Sequence, residues 1–387
     1  KYFTQQSSER FIIPCAIDAM TNSTETGITG MQVAEYTFFT IIFMIAVTGN
    51  TLVCLVIFQT PRMRTTRNYL LVNLAVSDLM VALFCIPFDV VLKVTQPVWP
   101  LGSAMCKVLW PAMTLFTNCS AATLAGISYD RYRAVIHPWK PRFTTVQTAV
   151  IISTTWLLSL ILVLPYVLAL KMKDGSCVED WPVPFAVKLY TMGLFIFQYT
   201  LPLVIIGLAY TMVALKLREQ ASRIAKNRKI SGISDSAYSK AKNSFNKYSE
   251  AAQTDESELP SNEHTAVYTQ NPTATKRLEN SQKEHTSSAR QEEKRLHRNT
   301  KIVQMLVAVV LSYAICLLPN QVVWLWYEFG SGSKWVHLNT FLTFGSIMVY
   351  VNSCVNPLLY AGMNDEFRKG FVKILKCRSK IFRPYIP

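Results

Sequence analysis

Residues Ser128 to Pro138 read SYDRYRAVIHP. An acid and two arginines follow directly on a long apolar run, at a point where hydrocarbon would hardly tolerate them. Charge that begins so abruptly marks the place where an apolar environment ends, and the rest of the chain says what that environment is. Half of the 387 residues are hydrophobic, 12% are aromatic and only 16% are charged, a balance too apolar for a soluble domain of this length. Seven runs of about 20 apolar residues, the length needed to cross a hydrocarbon layer of ~30 Å, lie at 36–58, 69–92, 104–136, 146–170, 185–215, 300–327 and 336–360. Backbone groups in lipid must be satisfied within the segment, so the runs are expected to be helices. A soluble core is disfavoured because too little polar sequence remains to surround seven such runs. The formal net charge of +15 does not point to nucleic acid, since the basic residues sit at the ends of apolar runs, as cytoplasmic membrane flanks do.

Loop charge sets the orientation. Arg62, Arg64 and Arg67 lie in the first connection, Arg131, Arg133, Lys140 and Arg142 in the third, and Arg368, Lys369, Lys373, Lys376 and Arg378 near the chain end. Those segments are expected to be cytoplasmic, which puts the amino terminus outside a multi-pass plasma-membrane protein. There Asn22-Ser23-Thr24 forms a glycosylation sequon; Asn118-Cys119-Ser120 fits the same pattern but lies mid-span, where no glycan is expected.

The expected organisation is an outer tail over 1–34, five helices over 35–216, a third cytoplasmic loop over 217–298, two helices over 299–362, and an interfacial helix with tail over 363–387. The third loop is rich in Ser, Lys, Glu, Asn, Thr and Gln and poor in large apolar residues, so it is expected to be disordered. Its Ser and Thr residues offer phosphorylation sites, a passive linker being the plainer reading. After the last span Phe367, Phe371 and Leu375 recur every four residues among basic ones, the pattern of a helix lying on the anionic inner leaflet. Cys377 follows, either as a palmitoylation site or as a plain thiol.

Nine cysteines cannot all pair. Cys106 opens the third helix on the outer side and Cys177 lies in the outer loop between the fourth and fifth, both where a disulfide would persist. Around Cys177 the stretch KMKDGSCVED carries an Asp174-Gly175 turn between short flanks, a hairpin signal, and a bridge would pin that hairpin over the bundle. Cys15 is the other outer cysteine, with no partner assigned.

Each span carries one polar or proline signature. These are Gly49-Asn50, Asp78 within NLAVSDL, Asp130-Arg131-Tyr132, Trp156, Pro202 with Tyr210, Cys316 with Pro319, and NPLLY from Asn356 to Tyr360. Taken in order and at the right depths, from the first helix to the interfacial one, this set resembles the rhodopsin-like G-protein-coupled receptors. The resemblance implies an all-α membrane protein, a seven-helix bundle with an amphipathic eighth helix, that activates heterotrimeric G proteins. It implies that Asp130 holds Arg131 at rest, and that on activation the sixth helix swings outward while Tyr210 and Tyr360 turn toward Arg131. Pro202, Pro319 and Pro357 are the bending points. The opening stretch then reads simply. From Cys106 to Arg131 is about 37 Å of helix at ~1.5 Å per residue, so one end is bridged outside while the other emerges at the inner face. The plainer alternative, an arginine that snorkels to the interface, leaves Asp130 and Tyr132 unexplained.

Family likeness also implies a sodium site at Asp78, Ser120, Asn352 and Asn356, with a hydrogen-bonded structural acid as the alternative, and no other cofactor. Arrestin and receptor kinases are further partners of such receptors. Three positions depart from the family pattern: Leu317 stands beside Cys316 where tryptophan is usual, Tyr313 replaces a phenylalanine and Ala121 a larger branched residue. The packing switch beneath the ligand is therefore expected to be rebuilt.

Met113 occupies the place of the aspartate that holds ligand amines, and Tyr350 the place of the retinal lysine, which disfavours both of those classes. By helical position Trp110, Met113, Asn320, Gln321, Trp324 and Tyr350 line the outer third, below a rim with Glu179, Asp180 and Glu328. An amphipathic pocket with an acidic rim suits a peptide with a basic residue or an amidated basic end, in the style of the tachykinin, neuropeptide Y, galanin and RFamide receptors. Solvated loop charges that touch nothing are the alternative for Glu179 and Asp180. Rival functions are a receptor for a non-peptide small molecule and a secondary transporter using Asp78, which would need paired broken helices. An enzyme is not expected: the histidines at 137, 264, 285, 297 and 337 fall in loops or at span ends, and neither a catalytic triad nor a phosphate-binding glycine loop is evident.

Overall fold

A computed structural model of the chain describes residues 30–95, 99–253 and 272–381, with the side chains of all of these but residues 31, 228–290 and 377–381. Each expected span falls in a helix. Helix α1 is Gly30–Gln59, starting inside the expected tail; α2 is Thr66–Thr95, α3 Leu109–Ile136 and α4 Thr145–Ala169. Helix α5 starts at Pro184 and passes through a wide π-turn, Phe195–Thr200, to Gln253. Helix α6 is Pro272–Phe329, α7 Leu338–Met363 and α8 Asp365–Ile381. Strands β1 (Leu170–Lys173) and β2 (Ser176–Glu179) form an antiparallel hairpin between α4 and α5.

Local chemistry explains the boundaries. Thr144 caps α4 in a reciprocal box, its hydroxyl accepting from the Gln147 backbone N–H while the Gln147 side-chain Oε1 accepts from the Thr144 backbone N–H. Thr65 caps α2 by accepting from the Asn68 N–H. At the hairpin tip Asp174 and Gly175 have φ of 50° and 75°, the left-handed pair that a two-residue β-turn requires.

Among the described residues, six helices are long and apolar enough to cross a membrane: the α1, α2, α4 and α7 segments, and parts of α5 and α6. Helix α3 has the length, 28 residues, but Thr117, Asn118, Ser120, Thr123 and Ser128 dilute its apolar character. All five are buried, because α3 packs against α2, α4 and the π-turn of α5. A helix enclosed by other helices does not have to match lipid. Helix α4 shows the reverse, with Leu157, Leu160, Ile161 and Leu164 exposed along it as a lipid-facing helix requires.

Two glycines set close approaches. A Cβ on Gly49 would stand 2.7 Å from Pro357 Cβ, and one on Gly370 2.5 Å from Val56 Cγ1. The first contact brings α1 onto α7, where Asn50 Nδ2 donates to the Ser353 carbonyl at 2.8 Å. The second brings α8 onto α1. Phe367 and Phe371 are buried there, Phe367 stacked on Tyr360 at 5.3 Å, while Leu375 is exposed. Most of the apolar stripe expected to meet the leaflet is thus spent on the bundle, and Val372 and Leu375 are what it leaves outside.

By contacts the chain divides into one unit that runs to Val213 and resumes at Ile302, and a second of Ala214–Lys301. In the second unit the backbone is helical over 217–253 and 272–298, where disorder was expected. Both segments are rich in helix-forming Ala, Lys, Arg, Glu and Gln; the first has only Gly232 and no proline, and Pro272 stands at the start of the second. Ion pairs at helical spacing, Lys216–Glu219 at 2.8 Å and Arg223–Glu219 at 2.6 Å, support the first. Few large apolar residues weaken a tertiary drive to order without removing the local one.

Candidate functional site

The end of the bundle that carries the hairpin is closed by the Cys106–Cys177 disulfide, with Cα atoms 5.5 Å apart. Leu92, Trp99, Leu109 and Leu170 pack around it. Trp99 donates its backbone N–H to the Gly175 carbonyl at 3.2 Å and sets its ring edge-on to Trp110 at 5.2 Å. The hairpin is therefore held at its tip as well as at its bridge, and both expected cysteines are used.

Neighbouring hairpin carboxylates have opposite surroundings. Asp180 accepts from Lys171 Nζ at 2.9 Å and lies 3.2 Å from Lys173 Nζ; the two ammonium groups hold its carboxyl below the usual carboxylate range. Its charge is answered within the hairpin by these two lysines. Glu179 points the other way. It accepts from the Trp181 indole N–H at 2.7 Å and from the Tyr166 hydroxyl, both neutral donors. Burial pushes its carboxyl up, those two bonds pull it partly back, and nearby Glu328 pushes it up again. Tyr190 completes the wall, 5.2 Å from the Trp181 ring and 5.7 Å from Tyr166. The sequence reading missed Tyr166, Trp181 and Tyr190, since they come from three separate segments and carry no spacing signal.

The other expected lining residues fall into separate groups. Met113 and Tyr350 meet: the Tyr350 hydroxyl lies 3.8 Å from Met113 Sδ and donates to Asp89 Oδ2 at 3.1 Å. Tyr350 is only 1% exposed, so it is a buried link between α2 and α7 and not an open wall. Asp89 belongs to a polar cluster that was not foreseen, in which Lys93 Nζ reaches Glu35 Oε1 at 2.8 Å and Thr343 Oγ1 at 2.9 Å. The one available signal was the i,i+4 spacing of Asp89 and Lys93. Gln321 donates to Gln198 Oε1 at 3.1 Å. Asn320 sits against α7, where a Cβ on Gly345 would stand 3.1 Å from its Cα, and Trp324 lies edge-on to Tyr327 at 6.0 Å.

In the middle of the bundle Asp78, Ser120, Asn352 and Asn356 are each at most 6% exposed. Asn356 Nδ2 donates to Asp78 Oδ2 at 2.8 Å, and the Ser353 hydroxyl, not among the expected residues, also reaches Asp78. One carboxylate with hydroxyl and amide oxygens is a hard-oxygen donor set. The Asn50 Oδ1, buried in the same helix contact, has no partner among the described residues. Asp78, Asn356 and Ser353, brought together here, carry the kind of oxygen atoms that a small hard cation takes.

At the opposite end Asp130 and Arg131, both 9% exposed, form an ion pair at 2.5 Å. Arg131 Nε and the Tyr360 hydroxyl are buried with no partner among the described residues, so each retains hydrogen-bonding capacity. Tyr210 is 7% exposed and reaches the Ser128 hydroxyl. Tyr132 turns toward the α3–α4 connection, stacking on Tyr129 at 6.3 Å and meeting His137 edge-on at 5.7 Å. Pro319 and Pro357 lie inside α6 and α7. Asn22 lies outside the described residues, and Cys377 among those whose side chains are not described.

A single chain-crossing bundle with a bridged hairpin at one end and a buried acid–arginine pair at the other defines a class of membrane receptor. Residues 49–360 match the model of the seven-transmembrane receptors of the rhodopsin family, and the chain belongs to that family, one of multi-pass membrane receptors that signal. It is 28% identical to the RYamide receptor of Tribolium castaneum over 386 residues, 95% of this chain and 87% of the relative. It is 25% identical to neuropeptide FF receptor 2 of Rattus norvegicus, covering 88% and 72% of the two chains. With the cholecystokinin receptor type A of Cavia porcellus it shares 28%, covering 88% and 80%.

Proposed function

We propose that this chain is a cell-surface receptor that binds an extracellular peptide with a basic residue or an amidated basic end and activates heterotrimeric G proteins. Its amino terminus and hairpin face outside, a reading supported by the arginines and lysines gathered at the Arg131 end. The observation that carries the ligand class is the contrast at the hairpin: Asp180 is neutralised by two lysines, whereas Glu179 is half-buried near Glu328 and, among the described residues, accepts from the neutral donors Trp181 and Tyr166. Two carboxylates against the aromatic wall of Tyr166, Trp181 and Tyr190 suit a cation that brings hydrogen-bond donors and a flat apolar face. The printed names of the relatives, receptors for RYamide, neuropeptide FF and cholecystokinin, favour a peptide source for it.

Binding tips a two-state bundle. In the resting arrangement Asp130 holds Arg131; in the active one α6 moves outward about Pro319, and the freed guanidinium, with Tyr210 and Tyr360, faces a crevice for the G protein. Asp78, Asn356, Asn352 and Ser120 would hold a sodium ion, whose charge offsets the buried carboxylate and favours rest. Helix α8 lies along the inner leaflet with Lys369, Lys373 and Lys376, with a palmitoyl group at Cys377 as a second anchor and a glycan at Asn22. Arrestin and receptor kinases act on the same cytoplasmic face. To test the reading, RYamide and neuropeptide FF peptides and their Arg→Ala forms are screened for nucleotide exchange in cells expressing the chain or its Glu179→Gln variant. The expected result is activation by a basic peptide and a loss of about 30-fold or more in potency in the variant, the scale of a buried charge pair. Equal potency in both chains would overturn the ligand site.

A further inference from the structure

Leu317 and Ala121 stand where the family has a tryptophan and a larger branched residue, and beside them Tyr313, a ring that also carries a donor, enters a set of hydrogen bonds. The Tyr313 hydroxyl donates to the Gln198 carbonyl at 2.7 Å, the Gln321 amide to Gln198 Oε1 at 3.1 Å, and the Tyr199 hydroxyl to the Ala314 carbonyl at 3.1 Å. All three join α6 to one place in α5, the π-turn Phe195–Thr200. A π-turn closes i→i+5 bonds, so it widens the helix and presents a carbonyl that a regular turn would keep to itself. The donors on α6 fall on both sides of Pro319, a residue that has no backbone N–H to give to the helix. Tyr313, Gln198 and Gln321 are 1%, 6% and 7% exposed, and a buried donor left unmade is costly.

We propose that Gln198, Tyr313 and Gln321 form a clasp that positions α6 against α5 in the resting arrangement, the one in which the Asp130–Arg131 pair is closed, and that its strength sets how readily the receptor activates. The clasp does the work that ring packing does elsewhere in the family. Opening α6 must release or exchange these bonds, and the ligand is placed to assist because Gln321 lies one helical step from Asn320 in the expected pocket lining. The inference rests on the reading that α6 moves on activation.

The experiment measures agonist-free nucleotide exchange on purified heterotrimeric G protein by membranes carrying equal surface densities of wild type, Tyr313→Phe, Tyr199→Phe and Gln321→Leu. Tyr313→Phe keeps the ring and removes only the donor. A transmembrane hydrogen bond is worth ~0.6 to 1.7 kcal/mol, so each variant is expected to raise basal exchange about three- to eighteenfold, and the two tyrosine variants, outside the expected pocket lining, keep the maximal agonist response. A purely structural role would lower expression or thermal stability and leave the ratio of basal to maximal exchange at the wild-type value; that result overturns the clasp, as does a fall in basal exchange. Tyr199→Phe, at a partly exposed ring, reports the same clasp should Tyr313→Phe express poorly. Failure of the receptor reading looks different: wild type would then drive no exchange above receptor-free membranes with any peptide of the panel.

Discussion

Glu179 and Asp180 are adjacent carboxylates in one hairpin, and the two are expected to behave differently. Asp180→Asn breaks only exposed pairs with Lys171 and Lys173, so peptide potency should change less than about threefold, against the large loss for Glu179→Gln. Because the Glu179 carboxyl is raised, its charged form exists only above that raised value. Affinity for a cationic peptide is therefore predicted to fall as pH drops through a window above the ordinary 4.5, and Glu179→Gln should flatten the profile. Binding of a labelled peptide measured from mild alkali to mild acid checks this; identical profiles for wild type and variant would contradict it. The sequence placed both residues on the rim but could not separate them. Their difference depends on partners brought by folding: Lys171 and Lys173 across the hairpin for one, Tyr166 from α4 and Trp181 for the other.

Helices were the most legible elements, because an apolar run of sufficient length has one fate in lipid. Even α3, the least apolar, was readable from its position between Cys106 and Arg131. What could not be read was which face of each helix meets which neighbour. Phe367 and Phe371 look like membrane anchors by periodicity, yet they turn inward because Gly370 lets α8 lie directly on Val56 of α1. Over 217–253, the later part of α5, poverty in apolar residues argues against tertiary burial, while local propensity gives a helical backbone. The Gly370 contact gives a test at this scale. Gly370→Ala forces a methyl into Val56 and is expected to cost about 1–3 kcal/mol by overpacking, seen as a lower melting temperature of the purified receptor. Val56→Ala in the same chain should recover most of it. Equal melting temperatures for the single variant and wild type would show that α8 does not depend on this contact.

At the scale of the whole molecule the sodium site, the clasp and the acid–arginine pair would act on one equilibrium between two arrangements of the bundle. Asp78→Asn keeps a hydrogen-bonding group for Asn356 but removes the charge that would hold the cation. It is predicted to abolish the shift in agonist affinity between sodium and an equal concentration of a large organic cation; a retained shift would place the ion elsewhere. The family signature made the Arg131 end of the bundle legible from sequence, since Asp130, Arg131 and Tyr360 of NPLLY carry their context with them. The hydrogen-bonded middle was hidden, because it rests on a π-turn in α5 that no spacing announces. Spin labels at two exposed positions, Ala134 on α3 and Gln304 on α6, would report the central motion by pulsed dipolar spectroscopy. With an activating peptide and G protein bound, the distance distribution is predicted to shift to longer values than in the unliganded receptor, and an unchanged distribution would contradict the account.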